Sequence, residues 1–220
     1  MRRFKPVPIP EEDLEKLLFA LQRAPTDASA QLYSAIRVRD PRLRDEVARL
    51  SGDQEHIRQA AEFFLFLADV HRLERLLAHR GQRMAFWPRT ALHFAILDAG
   101  IAASYLALTA EALGYGVCFI GGVLNGVEAL TDLLGLPPGV LPVVGLAVGV
   151  PGEEGPPRPR LPRRLVVHED RYRPYAAEDL EEAYRAMAPY SRVGDWNRVL
   201  RRYFAEGGTM EAREKPYGKV

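Results

Sequence analysis

The chain has little cysteine, little lysine and almost no net charge, and each shortage excludes something. One cysteine, Cys118, in 220 residues rules out an intramolecular disulfide framework and any multi-cysteine zinc or iron–sulfur site, which fits a reducing cytoplasm. Its neighbours Val117 and Phe119 are apolar, so a buried, inert thiol is expected. The formal net charge is +1; no global field pulls the chain toward nucleic acid or an anionic membrane, and neither is expected as a partner. Four of the thirty basic residues are lysine, so in this arginine-rich chain a lone arginine signifies little. Long hydrophobic runs are also scarce. The opening MRRFKPVPIPEEDLEK turns to prolines and acids where a secretory leader would turn apolar, so no leader is expected. The stretch nearest membrane-spanning length, Ala91 to Gly114, carries His93, Asp98 and Glu111 and reads as a helix buried in protein. GxSxG, HExxH and GxxxxGK[ST] are all missing, which removes support for serine hydrolase, zincin and P-loop readings.

What is present is an interleaving of helices and strands. Proline and two acids open a helical spacing of apolar residues over Glu11 to Arg23. After the loop APTDASAQ come a strand in LYSAIRVRD, a helix in PRLRDEVARLSG closed by Gly52, and a short helix in QEHIRQAA. EFFLFLADV is unbroken apolar sequence and predicts a strand covered on both faces. A long helix from about Arg89 to Leu113 leads to the strand VCFI, a helix in GVEALTDLLGL and a second buried strand in VLPVVGLAVGVP. The class is therefore α/β or α+β. Residues 151–162, rich in proline, read as a surface loop, and residues 176–220 as a helical C-terminal extension of a single 1–220 domain.

Side-chain chemistry is sparse. The five histidines are dispersed; His71 and His168 read as structural residues at strand ends, and no metal site is assigned. Glu11 and Glu12 lie in a helix's first turn, where they serve the helix dipole. Two features remain. FIGGVLNG, Phe119 to Gly126, puts three glycines after a strand, either for a plain turn or for a cradle of backbone N–H groups at Gly121 and Gly122. Arg158 and Arg160 stand at i, i+2 in an extended RPRLP, either as solvated loop charge or as a clamp for phosphate.

Seven segments in one order carry a resemblance: RRF, RAPTDASAQLYS, SGDQEHI, FLFLADVHR, AAEALGYGVCFIGGVLN, LLGLPPGVLPVVGLAVGVP and RPRLPRRLVVHEDRY. Each is weak alone, but together they cover nearly the whole chain and resemble the nitroreductase family, closest to its NADPH-dependent flavin reductase and major oxygen-insensitive nitroreductase branch. The resemblance implies an α+β fold with a central, mostly antiparallel sheet flanked by helices, an intertwined homodimer, and FMN bound at the subunit interface. It further implies that Phe119, Ile120, Gly121 and Gly122 lie along the flavin ring, that Gln54 contacts it, and that Arg158 and Arg160 hold the FMN phosphate. Arg2 matches the second arginine of the family's N-terminal HRSxRxF pattern. Ser29, Gln31 and Ser34 lie in the segment matching APTSSNLQAYS, where Asp27, Ala28 and Ser29 replace a typical Ser-Ser-Asn.

The implied activity is hydride transfer from NADH or NADPH through the flavin to a nitroaromatic, quinone, free flavin or similar small acceptor, in the cytoplasm. The flavin carries the chemistry, so no catalytic side chain is assigned. In NADPH-preferring relatives an arginine follows the glycine pair; here Leu124 stands there, which predicts use of NADH comparable with or better than NADPH, with Arg192 and Arg198 as the residues that could restore the preference. Alternatives on the same fold are a flavin carrier with little turnover and a reductive dehalogenase or flavin-fragmenting enzyme.

Overall fold

The computed structural model describes residues 1–155, 157–189 and 195–217. It divides into two compact units, Met1–Glu154 and Gly155–Val220, the division falling inside the proline-rich segment.

In the first unit the order is α1 (Glu11–Gln22), β1 (Tyr33–Arg37), α2 (Pro41–Leu50), α3 (Glu55–Gln59), β2 (Glu62–Asp69), α4 (His71–His79), α5 (Pro88–Ala112), β3 (Gly116–Ile120), α6 (Val127–Leu134) and β4 (Val140–Gly149). The strands form one sheet in the order β1-β2-β4-β3, and every pair is antiparallel. This is the α+β arrangement expected from the resemblance.

β2 explains why its sequence does not alternate. All eight of its residues are buried, because the sheet is covered on both sides. Successive strand side chains point to opposite faces, and Phe64 and Phe66 join α1 and α5 residues such as Leu17 and Leu106, while Phe63, Leu65 and Leu67 join Val47, Ile57 and Leu130 from α2, α3 and α6. Burying each phenylalanine contributes roughly 1.5–3 kcal/mol, so β2 is the centre of both cores.

The long helix has two distinct faces. Ala95, Ala99, Ala102, Ala103, Leu106 and Ala110 are fully buried, their small side chains letting the helix lie close against the sheet. On the opposite face Leu97, Tyr105 and Leu108 are exposed, Leu108 by 64%. By length and composition α5 would suffice to cross a membrane, yet it is a core helix here, with Asp98 at 1% exposure engaged by backbone N–H groups.

Three expectations need correction. Cys118 is partly exposed, because β3 is an edge strand with a neighbour on one side only. His71 opens α4, a helix the sequence did not reveal because EFFLFLADV runs into it without a break. His168 lies in no strand: it belongs to the second unit, packed beside Tyr172 at 4.6 Å between ring centroids.

The second unit carries α7 (Ala177–Met187), α8 (Trp196–Phe204) and α9 (Thr209–Tyr217). Its anchor is Asp179, 4% exposed, which accepts the Ala176 N–H at the start of α7 at 2.9 Å, Arg173 at 2.7 Å, and Arg164. Chiefly through Arg173, and then Arg164, the carboxyl is held well below the usual carboxylate range.

Candidate functional site

Sequence-distant residues meet first where β3 ends. Gly121–Asn125 forms a tight turn after β3 and packs against the end of α2. The Gln54 side chain donates to the Ser51 carbonyl at 2.7 Å. A Cβ placed on Gly122 would lie 2.2 Å from both Gln54 Nε2 and Ser51 O. Gly122 is therefore glycine because the Gln54 amide and the α2 terminus lie directly on its backbone, and it is buried. Gly121 differs: its Cβ would meet nothing within 4 Å, and the residue is exposed. So of the two glycines expected to open a cradle, one faces open space and the other is consumed by packing. Ile120 is 1% exposed and Phe119 46%, so Phe119 is open to a ligand while Ile120, backbone included, is covered.

A second cluster precedes β1. Ala28, Ser29 and Gln31 all adopt positive φ, at 44°, 56° and 53°, a region that costs non-glycine residues on the order of 1–3 kcal/mol each. Around them, the two carboxylate oxygens of Asp98 accept the N–H of Asp27 at 3.0 Å and of Leu32 at 2.9 Å. From α4, Arg72 donates to the carbonyls of Gln31 at 2.8 Å and Tyr33. Ser34 donates to Asp69 at 2.5 Å, which also accepts the Arg72 N–H at 3.0 Å. The Ser34 hydroxyl is thus committed to the fold, whereas the Ser29 and Gln31 side chains are exposed. Beside them, between α1 and β1, is an open cavity of about 380 Å³ lined in part by Gln31, Ser34, Arg37 and Arg72. Burial raises the pKa of the Tyr33 phenol at its edge.

These two clusters lie at opposite edges of the sheet, with β2 and β4 between them. At about 4.8 Å per strand, roughly 14 Å of sheet separates them within one copy.

The N-terminal segment forms a third element. Phe4 bridges to Pro151, and Gly152 donates to the Arg3 carbonyl at 2.9 Å, which lays residues 2–5 along the end of β4. The Arg2 backbone N–H donates to Glu153 and, as the leading cause, holds that carboxyl below its ordinary range. The Arg2 Nε is buried and finds no hydrogen-bond partner.

In the second unit Arg158 and Arg160 are both exposed, and Arg160 Nη1 donates to the Pro159 carbonyl at 3.0 Å. Arg198 lies in α8, its backbone N–H accepted by the helix-capping Asp195 carboxylate at 2.7 Å. Arg192 lies outside the described residues. Leu124 is partly buried against the core of α2 and α6.

The sequence reading missed Asp98, Arg72 and Asp69. Usable signals existed for Asp98, an acid inside an otherwise apolar helix, and for the i,i+3 pair Asp69 and Arg72; their links to Ser34 and to the Gln31 and Tyr33 carbonyls follow no spacing rule.

Known proteins similar to this chain point to one family. The family model described as "Nitroreductase family" matches residues 1–150. The chain is 34% identical over 174 residues to an FMN reductase (NADPH) of Bacillus subtilis, covering 78% of this chain and 70% of that one. It is 33% identical over 209 residues to an oxygen-insensitive NADPH nitroreductase of Salmonella typhimurium, covering 92% and 85%. Among solved structures, an NADPH:FMN oxidoreductase from Vibrio harveyi complexed with NAD⁺ superposes with a TM-score of 0.83 at 30% identity, over 91% of this chain and 84% of that one. With its antiparallel four-stranded sheet, the long helix α5 packed on it and a family match over residues 1–150, this chain belongs to the nitroreductase family.

Proposed function

We propose that the chain is an FMN-dependent oxidoreductase that takes reducing equivalents from NADPH or NADH and delivers them to a small acceptor such as a nitroaromatic, a quinone or free flavin. When bound, FMN would supply the hydride-accepting and hydride-donating chemistry. The residues present fit such a group. Gly121 leaves its backbone approachable, and the Gln54 amide packs against the adjacent Gly122, a polar arrangement suited to the edge of a planar ring. Arg2 keeps a buried donor without a protein partner, and a buried cationic donor is stabilised by an anion. Arg158 and Arg160 are both exposed, and their guanidinium charge suits a phosphate.

The carrying observation is the division of the expected cofactor residues between opposite sheet edges. It supports a homodimer in which the 28–34 loop of one copy completes the Gln54–Gly121 cluster of the other. The exposed apolar face of α5, Leu97, Tyr105 and Leu108, supplies surface that a second copy would cover. The chain's own work is then to bind, to orient two flat molecules in succession against one face, and to exclude water. A cytoplasmic location fits the single cysteine.

The test is a visible spectrum of the purified protein followed by anaerobic addition of NADH or NADPH. A yellow protein that bleaches within seconds supports a reductase. A yellow protein that stays oxidised supports the flavin-carrier reading, and a protein that neither carries nor binds FMN overturns both.

A further inference from the structure

The 27–32 loop presents a physical problem that its own sequence does not solve. Three residues in four, Ala28, Ser29 and Gln31, hold positive φ with no glycine among them. Such a loop persists only where its surroundings over-determine it. The surroundings are specific: Asp98, in the middle of α5 and 1% exposed, spends each carboxylate oxygen on one end of the loop, Oδ1 on the Asp27 N–H and Oδ2 on the Leu32 N–H. A carboxylate is acceptor-only at both oxygens, so it matches two facing N–H donors where a neutral amide does not. A charge buried among alanines is costly to keep unless its hydrogen bonds serve a purpose.

We infer that Asp98 is a positioning residue for the cofactor: bridging Asp27 and Leu32, it locks the left-handed 28–31 backbone in the form that presents Ser29 and Gln31 to FMN. The inference rests on the FMN reading proposed above. Asp98 acts through the loop and not by touching the cofactor itself. Without the bridge the loop relaxes toward ordinary φ values, and ligand binding must then restore the strained form, which weakens affinity by the population lost.

The experiment uses full-length protein stripped of flavin and titrated with FMN, with amide hydrogen exchange followed over residues 27–32. Asp98→Asn is nearly isosteric but turns an N–H₂ toward one of the two N–H donors. It should weaken FMN binding about tenfold or more and accelerate exchange at Asp27 and Leu32. A second pair leaves the buried helix untouched: Asp27→Pro and Asp27→Ala both remove the side chain, but only proline also removes the N–H that Asp98 accepts. Thr26, extended at φ −138° and ψ 156°, suits a following proline. Asp27→Pro should bind FMN about fivefold or more weakly than Asp27→Ala, and this pair decides the matter should Asp98→Asn not fold. A merely structural role would lower the melting temperature of these variants and leave the FMN Kd of folded protein unchanged; that result overturns the inference while leaving the FMN reading intact. Wild-type protein that binds no FMN overturns the reading, and the inference with it.

Discussion

Alanine at Gly122 and alanine at Gly121 should have opposite consequences, although the two residues are adjacent and chemically identical. At Gly122 the new methyl would lie 2.2 Å from Ser51 O and from Gln54 Nε2. The Ser51 carbonyl is backbone at the end of α2 and cannot step aside alone, so the turn and α2 must separate. Overpacking of this kind costs about 1–3 kcal/mol, and losing the Gln54–Ser51 hydrogen bond adds about 1 kcal/mol. The sum, roughly 2–4 kcal/mol, corresponds to a fall in melting temperature of about 4–16 °C at roughly 2–4 °C per kcal/mol for a chain of this size. At Gly121 the methyl meets nothing within 4 Å, and φ there is not positive. Flavin-free Gly121→Ala should therefore melt within about 0.5 kcal/mol of wild type, while FMN affinity falls because the methyl occupies the approach to the backbone. Thermal unfolding of flavin-free protein, paired with FMN titration by fluorescence quenching, separates the two. A Gly122→Ala protein as stable as wild type would refute the packing account. A Gly121→Ala protein with unchanged FMN affinity would refute the assignment of that backbone to the ring.

Replacing both Arg158 and Arg160 by alanine should cost about 2–5 kcal/mol in FMN affinity, at roughly 1.5–3 kcal/mol per charge-assisted contact, and much less in riboflavin affinity; equal losses would reject the phosphate clamp. With Leu124 in place of an arginine, NADH should serve as well as or better than NADPH, and steady-state kinetics showing a hundredfold or larger NADPH preference, of the size about 2.7 kcal/mol gives, retained in Arg198→Ala, would reject it. Sedimentation should find a dimer, and a stable folded monomer at low micromolar protein would remove the shared-site proposal. The Asp179 carboxyl has its pKa lowered from 3.8 in the folded chain, so its stabilisation is complete above the unfolded value and is lost as pH falls through the lower folded one. The melting-temperature gap between wild type and Asp179→Asn should therefore be constant near neutrality and close below about pH 4; a gap that persists in acid would show that shape, not charge, matters there.

The local elements and the family were legible in the residues themselves. Apolar periodicity, proline at helix starts and glycine at helix ends respond to forces acting within a few residues, so α1, α2, α5, α6 and the four strands lie where the sequence placed them. The unbroken apolar run of β2 even announced a sheet covered on both faces. Tertiary structure alone decided what each glycine and each buried charge is for. Gly121 and Gly122 look alike in sequence, yet one faces open space and the other packs against the Gln54 amide, because the end of α2, at Ser51, is brought to it from a distant part of the chain. Asp98 read as an argument against a membrane helix, and became the bridge that holds a strained loop only once α5 lay beside Asp27 and Leu32. The division of the cofactor residues between β1 and β3 likewise follows from the strand order. Pairing depends on long-range hydrogen bonds and on which apolar faces meet, and neither leaves a mark on the sequence near the residues it positions.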